Sequence, residues 1–158
     1  GGIADKTSYD EAVKVMSTLN KYAKEAVDKV KANSITDITG FGLLGHGLEM
    51  AEGSSVTIKI DHKNIPLISN TLEYAKMGLV PAGAYANRGH IGDNIRFEEG
   101  IPDEIKDVLF DPQTSGGLLV SVPREDADLL LEELANTPTK YALIGEVVEK
   151  EDHYIVVE

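Results

Sequence analysis

No cysteine occurs in this 158-residue chain. Disulfides, thiolate nucleophiles and cysteine-ligated zinc are therefore excluded within it. Basic residues are scarce as well: 15 Lys and Arg stand against 27 Asp and Glu, a formal net charge of −12. That balance repels a nucleic-acid backbone or an anionic membrane, so neither is expected as a partner. A polyanionic nucleotide would be repelled too, unless a metal or a second, basic domain compensates. No apolar run approaches the ~20 residues that span a bilayer, and the polar opening GGIADKTSYDE carries no signal-peptide pattern. His46, His62, His90 and His153 show neither H-x-x-H nor H-E-x-x-H spacing, which argues against zinc. No Walker loop and no G-x-S-x-G elbow is found. A cytoplasmic protein fits these absences, and the Gly1 start fits a piece of something longer.

What is present is ordinary for one globular domain: 42% hydrophobic and 27% charged residues. Ser8, Tyr9, Asp10 and Glu11 read as a capping box. The apolar positions Val13, Met16, Leu19, Ala23, Ala26, Val27 and Val30 then predict one core-facing helix to about Lys31. An extended piece over 34–38 leads into a helix from about Leu43 to Ala51, ended by Gly53. Val56, Ile58 and Ile60 alternate with Thr57 and Lys59 as a strand. Pro66 opens a helix that Gly78 ends. From Leu79 to Gly100 the pattern dissolves into a long glycine-rich loop, of a kind that often carries function. A short helix from Pro102, a strand over 118–122, a helix over Arg124–Ala135 and a terminal hairpin of two strands complete the order. The sum is a single α+β domain over 1–158, a mixed sheet flanked by helices, partly ferredoxin-like from Leu118 onwards.

Three stretches could carry chemistry. TDITGFGLLGH, Thr36 to His46, sets an acid, two hydroxyls and three glycines ahead of an apolar helix. Gly40 and Gly42 allow close backbone approach to a ligand, the helix start offers unpaired N–H groups, and Asp37 is an oxygen donor suited to Mg²⁺. The plainer alternative, which the spacing alone favours, makes Thr39 an N-cap and Asp37 a solvated acid. DPQTSGG, Asp111 to Gly117, holds Thr114 and Ser115, and reads in isolation as a tight turn with Gly116 and Gly117 in unusual conformations. PAGAYANRGHIGD contributes Asn87, Arg88, His90 and Asp93, with Arg88 a possible anion clamp.

Together, TDITGFGLLGH and DPQTSGGLLVSVP resemble the two signatures of the C-terminal domain of the selenophosphate synthetase (selenide, water dikinase) family. That family belongs to the superfamily built on the aminoimidazole ribonucleotide synthetase fold. Pro81, Gly83, Asn87 and the MSTLN run at Met16–Asn20 agree, and the resemblance covers nearly the whole chain. It implies an enzyme that uses ATP and Mg²⁺ to phosphorylate selenide, yielding selenophosphate, AMP and phosphate. It implies that Asp37 binds Mg²⁺ at the ATP phosphates, with Thr39, Gly40, Gly42, Asn87, Thr114 and Ser115 near the nucleotide. The catalytic cysteine or selenocysteine, its lysine and the remaining metal-binding acids would lie in an N-terminal domain absent from this chain. The full-length protein would be a homodimer, and the isolated chain inactive. Another ATP-dependent enzyme of the superfamily and a non-catalytic α+β binding or regulatory module are the alternatives.

Overall fold

The computed structural model describes residues 2–158. Helix α1 spans Lys6–Ser17, and its N-cap is Asp5, whose carboxylate accepts from Ser8 N at 3.0 Å. Ser8 is thus inside the helix rather than its cap, and Glu11 accepts instead from Ser69 N at 2.8 Å. The expected long helix is two: after α1, Thr18 is extended, and α2 runs Lys21–Val27. Thr18 and Ser17 hydroxyls both donate to Lys14 O at the break, the local bonding by which such residues compete with a continuing helix.

Strand β1, Ser34–Asp37, leads through the glycine motif into α3, Gly42–Ser54, which ends at left-handed Ser55 and not at Gly53. After β2, Val56–Ile60, helix α4 covers only Thr71–Lys76, because left-handed Asn70 caps it well beyond Pro66. The expected loop over 79–100 contains helix α5, Ala82–Ile91, capped by Pro81, and strand β3, Ile95–Phe97. Its glycines hid the helix, whose turns pack between α3 and α6, Asp103–Leu109. Strand β4 is Leu118–Ser121, α7 is Arg124–Ala135, β5 is Gly145–Glu149 and β6 is Ile155–Val157.

The strands form two sheets. A mixed sheet has the order β3-β6-β2-β5, with β2–β6 and β3–β6 parallel and β2–β5 antiparallel. No terminal hairpin forms, since β5 and β6 flank β2 on opposite sides. The other sheet is the antiparallel pair β1–β4, so the two strands around α7 lie in different sheets. The main core packs α3 (Leu43, Leu44, Leu48, Ala51) on Ile58, Ile60, Ile155 and Val157, with Phe110 beneath. A smaller cluster joins α2 to α7 through Ala26, Val27 and Leu130. Thr57, expected on a polar face, is fully buried; its hydroxyl donates to His153 O and accepts from Glu151 N.

Candidate functional site

The two signature motifs are laced together by backbone. Asp37 sits opposite Leu118 in the β1–β4 register. One residue on, Ile38 N donates to Gly117 O at 2.9 Å, and Gln113 N donates to Thr39 O at 3.0 Å. Gly116 is buried, and a side chain there would collide with Ile38 O and the Gln113 amide. The left-handed residue of DPQTSGG is Ser115, at φ 51°, whereas Gly116 and Gly117 keep negative φ. The glycines serve close packing, and the turn's strain falls on an exposed serine.

Gly42 meets a double demand. Its φ is +69°, and a Cβ on it would lie 2.8 Å from the Phe110 carbonyl carbon and 2.9 Å from Asp111 O. The backbone it admits is this chain's own. Gly40 differs: it is exposed, and a Cβ there would meet nothing within 4 Å. Asn87, on α5, closes the arrangement, its Nδ2 donating to Gly40 O at 2.9 Å and Phe110 O at 3.0 Å. Thr39, Gly40, Gly42 and Asn87 are thus brought together against the start of DPQTSGG, while Thr114 and Ser115 stand exposed on its outer turn.

The N-cap of α3 is Phe41, with no side-chain cap, so Thr39 does not have the capping role. Its hydroxyl faces His46 Nε2 at 3.1 Å, and His46 Nδ1 faces Glu49 Oε2 at 2.9 Å. A carboxylate only accepts, so Nδ1 carries a proton in that contact, and the Thr39–Nε2 hydrogen bond links the first motif to α3. Sequence spacing argued only against a zinc role for His46 and gave no sign of this chain of bonds. Asn20 is the other missed residue: its Nδ2 donates to Gly116 O at 2.9 Å, pinning the α1–α2 corner to the second motif.

Arg88 is not a free anion clamp, because it pairs with Asp107 at 3.0 Å. Asp111 is half-buried, and burial pushes its carboxyl above the usual carboxylate range. Asp37 itself is exposed at the end of β1; Thr36 Oγ1 donates to its backbone carbonyl at 3.3 Å, leaving the carboxylate to solvent. Among the described residues no three His, Asp or Glu side chains converge as a metal cage. One free carboxylate suits Mg²⁺ nonetheless, since that ion keeps several waters and takes one or two carboxylates beside substrate phosphates. No helix among the described residues is long and apolar enough to cross a membrane.

Comparison with known proteins fits this geometry. Residues 3–158 match the family described as AIR synthase related protein, C-terminal domain. The chain is 49% identical over 156 residues to selenide, water dikinase 2 of Peptoclostridium acidaminophilum, covering 98% of this chain and 45% of that protein. It is 48% identical over 153 residues to selenide, water dikinase of Treponema denticola, covering 94% of this chain and 43% of that one. The chain thus spans less than half the length of these curated relatives. A crystal structure of E. coli HypE, a hydrogenase maturation protein, shares the fold at TM-score 0.53 and 18% identity, over 84% of this chain and 34% of that one. The chain therefore belongs to the family of AIR synthase related protein C-terminal domains.

Proposed function

We propose that this chain is the C-terminal domain of a selenide, water dikinase, forming one wall of a site that holds ATP and Mg²⁺ for selenide phosphorylation. The observation that carries the reading is the match to such enzymes along nearly the whole chain, at less than half of their length. An N-terminal domain then supplies the nucleophile, the lysine and the other metal-binding acids. The absence of cysteine and the net charge of −12 agree with that division. The parent protein is a cytoplasmic homodimer in this reading.

Within the wall, Asp37 offers its free carboxylate to Mg²⁺. When bound, that ion neutralises phosphate charge, the main demand of phosphoryl transfer. Thr39, two residues beyond Asp37, has its hydroxyl held by His46. Asn87 holds the Gly40 carbonyl inward, and the open space at Gly40 lets the nucleotide pass close to the backbone. Thr114 and Ser115 stand where the DPQTSGG turn meets the nucleotide or the other domain.

The test is the full-length parent protein. Its ATP consumption should require selenide and yield AMP with selenophosphate, followed by ³¹P NMR. Asp37→Asn should lower turnover more than tenfold, at least ~1.4 kcal/mol of transition-state stabilisation, and weaken Mg²⁺ binding. Selenide-independent turnover would reject the reaction, and an unchanged rate at low Mg²⁺ would return Asp37 to a solvated acid.

A further inference from the structure

Helix α1 is turned inside out relative to its sequence. Its apolar stripe, Tyr9, Val13 and Met16, lies at spacings of four and three, one face of a helix. Those residues are 62%, 42% and 44% exposed. The opposite side faces the domain with Ser8, Glu11, Val15 and Thr18, of which Ser8 is buried. Glu11 and Thr18 border a cleft of about 1090 Å³ between the two sheets. The polar inner side is held by specific bonds: Ser8 Oγ donates to Ser69 O, and Glu11 pairs with Lys140. The orientation is therefore fixed, and among the described residues the apolar stripe faces solvent. It continues past the helix end into Leu19 and Tyr22, 62% and 41% exposed.

A contiguous strip of tyrosine, valine, methionine and leucine has the composition of an interface core. Its position says what covers it. The chain matches a C-terminal-domain family and spans less than half of its relatives' length, so in the domain division proposed above the remainder precedes α1 in sequence. Between Leu19 and Tyr22 of the strip lies Asn20, whose amide holds Gly116, while Gly117 holds Ile38, the neighbour of Asp37. The α1–α2 corner is therefore bonded, through Gly116 and Gly117, to the end of β1. We infer that the outward face of α1 is the seat of the parent protein's N-terminal domain, fixing that domain beside Asp37. This rests on the domain division proposed above and names where the two halves meet.

The chain's lack of cysteine provides the test. Val13→Cys and Tyr9→Cys each place one thiol on the strip without touching the core; Asp152→Cys, at the exposed β5–β6 turn, is the control. Maleimide labelling, read by peptide mass, is compared in the 158-residue chain and in the full-length protein. Both strip positions should label at least tenfold more slowly in the longer protein, at a rate independent of protein concentration, while the control labels equally. Equal rates at the strip would overturn the inference. So would protection that fades on dilution, or that appears in the 158-residue chain at high concentration, since either makes a second copy the occupant. The labelling needs neither ATP nor selenide. Slow labelling in a protein without selenide-dependent turnover would keep this interface and reject only the reaction.

Discussion

The side-chain amide of Asn87 donates to the carbonyl of Gly40 at 2.9 Å, bridging 47 residues of sequence. The same nitrogen reaches Phe110 O, so one side chain on α5 ties the first motif to the residue that precedes the second. Asn87→Ala leaves the carbonyls of exposed Gly40 and buried Phe110 without that donor. It should cost about 1–3 kcal/mol, measured as a lower urea midpoint with an unchanged slope. A midpoint equal to wild type would show that water replaces the amide at no cost.

The two glycines of the first motif should separate sharply. Gly42→Ala must hold a left-handed φ and press its methyl into the Phe110–Asp111 backbone. A loss of about 2–4 kcal/mol follows from the combined conformational and steric terms. Gly40→Ala meets open space and should change stability by less than about 1 kcal/mol. In the full-length protein, the Gly40 variant should weaken nucleotide binding if the nucleotide passes there. Thermal melts of the two variants beside nucleotide titrations would decide both points.

Acid should loosen the clasp on α1 through Glu11. Hydrogen bonding to Lys140, then to Ser69, lowers its carboxyl from 4.5 to about 2. A carboxyl depressed in the folded state stabilises the fold above its unfolded value and loses that contribution as pH falls through the folded one. The window is therefore pH 4.5 down to about 2. Asp111, raised by burial, acts with the opposite sign: it favours the fold when protonated, and this fades as pH rises past its unfolded value. Comparing wild type with Glu11→Gln removes Asp111 from the difference. The gap in melting temperature should be largest near pH 6 and close as pH approaches 2; a gap constant with pH would refute the assignment.

The isolated 158-residue chain should fold and stay catalytically silent. Phosphoryl transfer depends on positioning and charge neutralisation, and one free carboxylate in an acidic domain supplies little of either. ATP consumption in the presence of selenide should not exceed a heat-killed control. Selenide-dependent consumption by this chain alone would overturn the division of labour between domains.

Several elements were legible before the structure. Helix α7 was read with its bounds intact, because Pro123 and the acidic first turn mark its start and its leucines recur at helical spacing. Strand β2 and helix α6 carried comparably local signals. The misread elements share a cause. Helix α5 has a weak apolar pattern and two glycines, so contacts with α3 and α6 secure it more than propensity does. The seven-position apolar rhythm from Val13 to Val30 runs across a break at Thr18, which depends on hydroxyls bonding Lys14 O and on Asn20 reaching Gly116.

The candidate site divides in the same way. The sequence determined that TDITGFGLLGH and DPQTSGG resemble the family's signatures, offered Asp37 as the candidate Mg²⁺ donor, and excluded thiol chemistry from this chain. Only tertiary structure decided that Gln113 joins those motifs, that Asn87 ties Gly40 to Phe110, that Gly42 admits backbone from Phe110, and that Thr39 is bonded to His46. It also decided that α1 shows its apolar face to solvent. Periodicity identifies which residues share a face, but the side on which that face is covered depends on bonds and packing partners far away in the chain.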